Sequence, residues 1–174
     1  MMPKTIYGSL EWIKGVVPKM LKYPFILKST SGRKAREVWL IKNEDDLDQK
    51  VKELGDLEKA GTRYFGQEYI QASQRIRALV IGGQVVGAIT RPTKWNKKKE
   101  PAKSQVFLKK EDMEMAVKAA KAVSLDICGI DILHHDETGR SYLIEANAAP
   151  SWNLITKDCE VNVEREILKY LLKL

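Results

Sequence analysis

GIDILHHDETGRSYLIEANAAPSW, residues 129–152, is the stretch on which the fold turns. GIDILH is apolar and β-branched, DETGR is a cluster of turn formers, and SYLIEAN is a second apolar run, so the stretch predicts two strands joined by a tight loop. Pairing them across the loop sets Asp131 opposite Glu145. Because side chains alternate along a strand, Glu145 and Asn147 share a face, and Ile130, Ile132, Ile144 and Ala146 occupy the other, buried one. Two carboxylates opposed on neighbouring strands repel. Three hard oxygen donors on one face suit Mg²⁺, which takes one or two carboxylates together with phosphate oxygens. The competing reading is a half-exposed hairpin with incidental acids.

The rest of the chain bounds the class. It has 174 residues, 44% of them hydrophobic and 30% charged, enough for one domain with a core and unlike a disordered polymer. No apolar run is long enough to span a bilayer, and the first residues carry no charged-then-apolar signal. Cys128 and Cys159 have no metal-type spacing, so packing in a reduced, cytoplasmic setting is the expectation. Thirty Lys and Arg against 23 acids give a net charge of +7, which favours anionic partners. The excess is concentrated at 91–105, where Arg91, Lys94, Lys97, Lys98, Lys99 and Lys103 face only Glu100. That stretch, within a loop over 92–110, reads as a solvated surface loop, as a flap over an acidic partner, or as a lysine surface with Trp95 to stack on a base.

Residues 9–22 predict a helix capped by Ser9, with Pro18 breaking it or starting a second one. PFILK is a buried strand ending on Lys28, which either snorkels to the surface or meets a phosphate. The basic TSGRKAR loop leads to a strand, EVWLI; it is a plain turn or a phosphate-covering hairpin. Asn43 and the acids at 44–46 open an amphipathic helix over 44–60. RYFGQEYI is a strand. RIRALVI and QVVGAIT form a hairpin around Gly82-Gly83, with Arg75 and Arg77 on one face and Arg91 ending the partner strand, a better anion site than a single arginine. Residues 111–125 predict a helix with Met113, Ala116, Val117 and Ala120 inward. His134 and His135 read as polar residues near the turn. A last helix is expected to bury Ile167, Leu168, Leu171 and Leu172. Mixed helices and hairpins indicate an α+β fold with antiparallel sheets covered on one side.

Taken together, GIDIL, LIEANAAP, PFILK, QEYI, RIRALVIGG and ITR resemble the ATP-grasp superfamily, in particular ligases of the ribosomal protein S6 glutamate ligase type. The likeness runs from Pro3 to Leu174 and is strongest over 64–91 and 114–152. It implies one ATP-grasp domain of two α+β subdomains gripping a nucleotide, a smaller lid over 1–67 and a larger metal-binding part over 68–174. It implies that Lys28 contacts phosphates, that TSGRKAR closes over them, and that Gln67, Glu68, Tyr69 and Ile70 form the adenine-side segment. Arg77 and Arg91 are implied as catalytic residues at the γ-phosphate, and Asp131, Glu145 and Asn147 as ligands of one or two magnesium ions, with manganese as a substitute. The implied activity is ATP-dependent ligation of a carboxylate to an amine through an acyl phosphate, on small molecules, peptides or an acidic protein. The alternative is a nucleotide-binding module without ligase activity. Nucleic-acid binding ranks last.

Four departures accompany the likeness. The chain starts at the segment that in the family follows an α/β domain, so a homo-oligomer or a partner chain supplying that part is expected. Arg75 stands where the family has an acid two residues before Arg77. The loop after Lys28 has one glycine, and the stretch after Arg91 is lysine-rich.

Overall fold

The computed structural model describes residues 1–30, 37–95 and 105–173. The elements are β1 (Thr5–Gly8), α1 (Leu10–Leu21), β2 (Phe25–Ser29), β3 (Val38–Ile41), α2 (Glu44–Lys59), β4 (Tyr64–Glu68), β5 (Gln74–Ile81), β6 (Gln84–Pro92), α3 (Lys110–Ala122), β7 (Ile127–His134), β8 (Ser141–Asn147), α4 (Asn153–Asp158) and α5 (Val163–Leu172). They fall into two compact units, one of Pro3–Tyr69 and one of Met1–Met2 with Ile70–Leu174. Each holds a four-stranded antiparallel sheet, in the orders β1-β4-β2-β3 and β6-β5-β7-β8.

In the first unit α1 and α2 bury Leu10, Ile13, Val17, Leu47, Val51 and Leu54 against Phe25, Leu27 and Ile41 of the sheet. Ser9 Oγ accepts the Trp12 N–H, and Asn43 Oδ1 accepts that of Asp46, so both helices start where their caps predict. Pro18 does not break α1. Residues Leu10, Ile13 and Val17 keep one continuous buried stripe past it, and the Pro18 carbonyl still accepts the Lys22 N–H. Gly66 lets α1 approach β4. A Cβ there would lie 2.8 and 2.9 Å from the two methyl carbons of buried Val17. Gly66→Ala is therefore expected to cost about 1–3 kcal/mol through overpacking, read as a lower urea midpoint at unchanged slope.

The second sheet is covered on both faces, not one. Ile76, Ala78, Val80, Ile130 and Ile132 pack under α3, whereas Leu79, Ile81 and Ile89 pack with Ile155 and Val163 from α4 and α5. Gly82 and Gly83, at φ 56° and 77°, make the β5–β6 turn that their sequence predicts. Two apolar assignments fail. Leu168, Leu171 and Leu172 are exposed; only Val163 of α5 is buried, because the helix leans on the sheet through its Val163 and Ile167 edge. Met113 is exposed while Asp112 turns inward to meet His134.

The β7–β8 hairpin forms with Asp131 opposite Glu145. Its register shifts once: Ile132 pairs with Leu143, leaving Ile144 as an extra residue in β8. Leu143, not Ile144, thus joins Ile130, Ile132 and Ala146 under α3, and Ile144 packs with Leu133 and Tyr142.

No helix among the described residues is long and apolar enough to cross a membrane. Burial raises the pKa of both cysteine thiols, which are free and packed.

Candidate active site

Strand pairing in the second unit lays charged side chains in rows across the sheet. Arg77 sits opposite Asp131, and Asp131 opposite Glu145. In the next row Arg91 lies opposite Arg75, and on the other side Asn147 lies opposite Gly129. Directly opposed residues of antiparallel strands share a face, so all six polar side chains belong to one face.

Asp131 is the centre of this face and is 2% exposed. A carboxylate that deep is tolerated only when paired. Arg77 supplies a bidentate clamp, with Nε 2.7 Å from Oδ1 and Nη2 2.8 Å from Oδ2. Arg75 adds Nη1 at 3.2 Å from Oδ2. The hydrogen bonds it donates to Asp131 hold the Arg77 guanidinium above its ordinary pKa, against the opposing effect of burial, and Glu145 adds to the upward shift. The repulsion expected between Asp131 and Glu145 is therefore offset by arginine. Glu145 is exposed, and Asn147 is half-buried, with Oδ1 accepting the Ala149 N–H at 3.0 Å.

Two carboxylates and an amide oxygen on neighbouring strands are hard donors that fit Mg²⁺ chemistry. Among the described residues no group of three or more His, Cys, Asp and Glu is gathered to hold a metal. An ion at Asp131, Glu145 and Asn147 would therefore need further oxygens from a bound phosphate.

In the first unit, Lys28 stands on the sheet face away from Phe25 and Leu27 and donates from Nζ to Gln67 Oε1 at 2.7 Å. Gln67 in turn donates to Thr5 Oγ1 at 3.0 Å. Glu68 Oε2 accepts the Lys4 N–H at 3.1 Å. Tyr69 is half-buried and Ile70 buried, so any ligand contact by Ile70 would come from its backbone. Residues 31–36 of the TSGRKAR loop and 96–104 of the lysine-rich stretch lie outside the described residues.

One polar cluster was not expected. Asp112, 1% exposed at the start of α3, lies 2.9 Å from His134 Nε2. His134 thereby joins β7 to α3, beyond its reading as a turn residue. Its place in the alternation, with Ile130 and Ile132, was the available signal.

The RimK-like ATP-grasp domain matches residues 3–171. The chain belongs to the RimK-like ATP-grasp family. It is 28% identical over 187 residues to N-acetylaspartylglutamate synthase A of Mus musculus, covering 99% of this chain and 47% of the relative. It is also 28% identical to a probable alpha-L-glutamate ligase of Pasteurella multocida (strain Pm70), covering 98% of this chain and 55% of the relative. The chain thus spans about half the length of these relatives. The ATP-grasp ligase PsnB, solved with a phosphomimetic variant of its minimal precursor, Mg and ADP, shares the fold at a TM-score of 0.73 and 19% identity, over 99% of this chain and 53% of that one. Its likeness supports the α+β ATP-grasp fold with two antiparallel four-stranded sheets.

Proposed function

We propose that this domain carries the catalytic centre of an ADP-forming carboxylate–amine ligase. The observation that supports it most is the face on which Arg77 and Arg75 hold buried Asp131, with Arg91, Glu145 and Asn147 on the same face. A carboxylate attacking a γ-phosphate meets strong like-charge repulsion. Fixed guanidinium donors aimed at the transferring group offset it where charge redistributes. In this reading Arg77 and Arg91 stabilise the γ-phosphoryl group, and Lys28 contacts phosphate oxygens. Gln67, Glu68 and the backbone of Tyr69 and Ile70 line the base. Asp131, Glu145 and Asn147 would hold one or two magnesium ions, or manganese, which when bound neutralise phosphate charge. The acyl phosphate formed on the substrate carboxylate is attacked by an amine; the C–N bond forms as the C–O bond to phosphate breaks, and the amine proton is lost.

The names of the relatives and the peptide bound to PsnB support an amino acid or peptide as substrate, and the net charge of +7 suits an acidic one. The division into a lid over 1–67 and a metal-binding part over 68–174 belongs to the same proposal, as do a homo-oligomer or partner chain and a cytoplasmic location, which the free thiols fit. A second reading, nucleotide binding without turnover, is favoured by Arg75 occupying Asp131.

Thermal unfolding with ATP tests the proposal. In the presence of Mg²⁺, ATP at about 100 times its Kd is expected to add about 2.7 kcal/mol, raising Tm by several degrees. ADP release is then expected only when an amine and a carboxylate acceptor, glutamate and an acidic peptide, are both added. A shift without ADP release across such substrates selects the second reading. No shift at millimolar Mg·ATP rejects both.

A further inference from the structure

We infer that Arg75 turns this face into a binding site for a polyphosphate chain that works without a divalent metal, an inference resting on the reading of the face as phosphate-binding. Arg75 lies directly opposite Arg91 across β5 and β6, and Arg77 follows two residues along on the same face. Like charges opposed in this way destabilise a sheet. Only one buried carboxylate is present to compensate, and Arg77 already clamps both oxygens of Asp131, with Arg75 sharing the second. Among the described residues no carboxylate pairs with Arg91. The Arg75 Nε is buried and has no hydrogen-bond partner.

Charge bookkeeping then decides the sign. Three guanidiniums stand against Asp131 and exposed Glu145, leaving one net positive charge before any metal binds. Arginine cannot lose its proton, so this excess persists at every physiological pH. A carboxylate at position 75 would move the balance by two charges and make the face repel phosphates until a cation arrived. With arginine there, planar forks that match phosphate oxygens are already in place. A metal ion is then needed for chemistry on the bound chain and not for its capture.

Calorimetric titration of the full chain with inorganic tripolyphosphate in excess EDTA tests this. The unaltered chain is expected to bind, Arg75→Gln to bind about 10-fold more weakly, and Arg75→Lys to stay within about threefold of the unaltered chain. Lys118→Gln, on an exposed position of α3, is expected to change nothing. Circular dichroism melts of each variant establish that it is folded. The inference is overturned if the unaltered chain ignores tripolyphosphate without metal, or if Arg75→Gln binds it equally well. If either occurs while Mg·ATP still raises Tm, the ligase reading stands and only the role of Arg75 falls. If Mg·ATP and tripolyphosphate both fail to bind, the phosphate-binding reading falls with it.

Discussion

Asp131→Ala is expected to lower stability by about 3 kcal/mol, the largest loss of any single change on this face. The carboxylate is 2% exposed and anchors two arginines, whose side chains are 16% and 32% exposed. Deleting it strands Arg77 in a half-desolvated position on the same face as Arg75 and Arg91, with exposed Glu145 left as the counter-charge among the described residues of that face. The partial exposure of the arginines keeps the loss at the low end for a broken buried pair. Asp131→Asn keeps the volume and one acceptor oxygen and is expected to lose about half as much. Urea unfolding followed by circular dichroism measures both. A loss below about 1 kcal/mol for the alanine variant would mean that the arginines are held by something else.

Glu145→Gln, one strand away, is expected to do the opposite. Its side chain is exposed and makes no ion pair among the described residues, so unfolding in the absence of metal should move by no more than about 0.5 kcal/mol. The gain in ATP affinity that Mg²⁺ adds over metal-free binding is expected to be largely lost, because a charged ligand of the ion is removed while the shape is kept and the arginine forks that capture the chain are untouched. Titration of ATP with Mg²⁺ and with EDTA separates the two contributions. Strong destabilisation of the metal-free protein with unchanged ATP affinity would make Glu145 a structural acid. The two carboxylates, placed side by side in the same hairpin, are thus expected to differ: losing Asp131 costs the fold and its arginine anchor as well as a metal ligand, and losing Glu145 costs the metal ligand alone.

Much of this was legible before any coordinates. The alternation in GIDIL and LIEAN, read with the DETGR turn, gave the Asp131–Glu145 pairing, and the alternation of Arg75 and Arg77 gave their shared face. Ser9 and Asn43 marked their helix starts, because capping is a local interaction. What escaped depended on tertiary partners. The leucines of α5 satisfy helical periodicity, yet periodicity says only that a face is apolar and not that something packs on it. Asp112 belongs to the acidic first turn that any helix start favours, and only the approach of His134 makes it an interior group. Arg75 was visible as a basic residue, but its contact with Asp131 required knowing that β5 pairs with β7, strands separated by β6 and α3 in the chain.

The extra residue at Ile144 works as an indexing tooth for the hairpin. Counted back from the tip, where His134 meets Ser141 and Ile132 meets Leu143, an uninterrupted ladder would bring Ile144 against Asp131 and Glu145 against Ile130, inside the layer under α3. One inserted position advances the remainder of β8 by a single notch and delivers the acid to the arginine side. The length of the tip between His134 and Ser141 is therefore free to vary, and removing Ile144 would leave the acid opposite Asp131 in an unbroken ladder, whereas inserting one more residue without a second bulge would carry it through to the greasy side of the sheet.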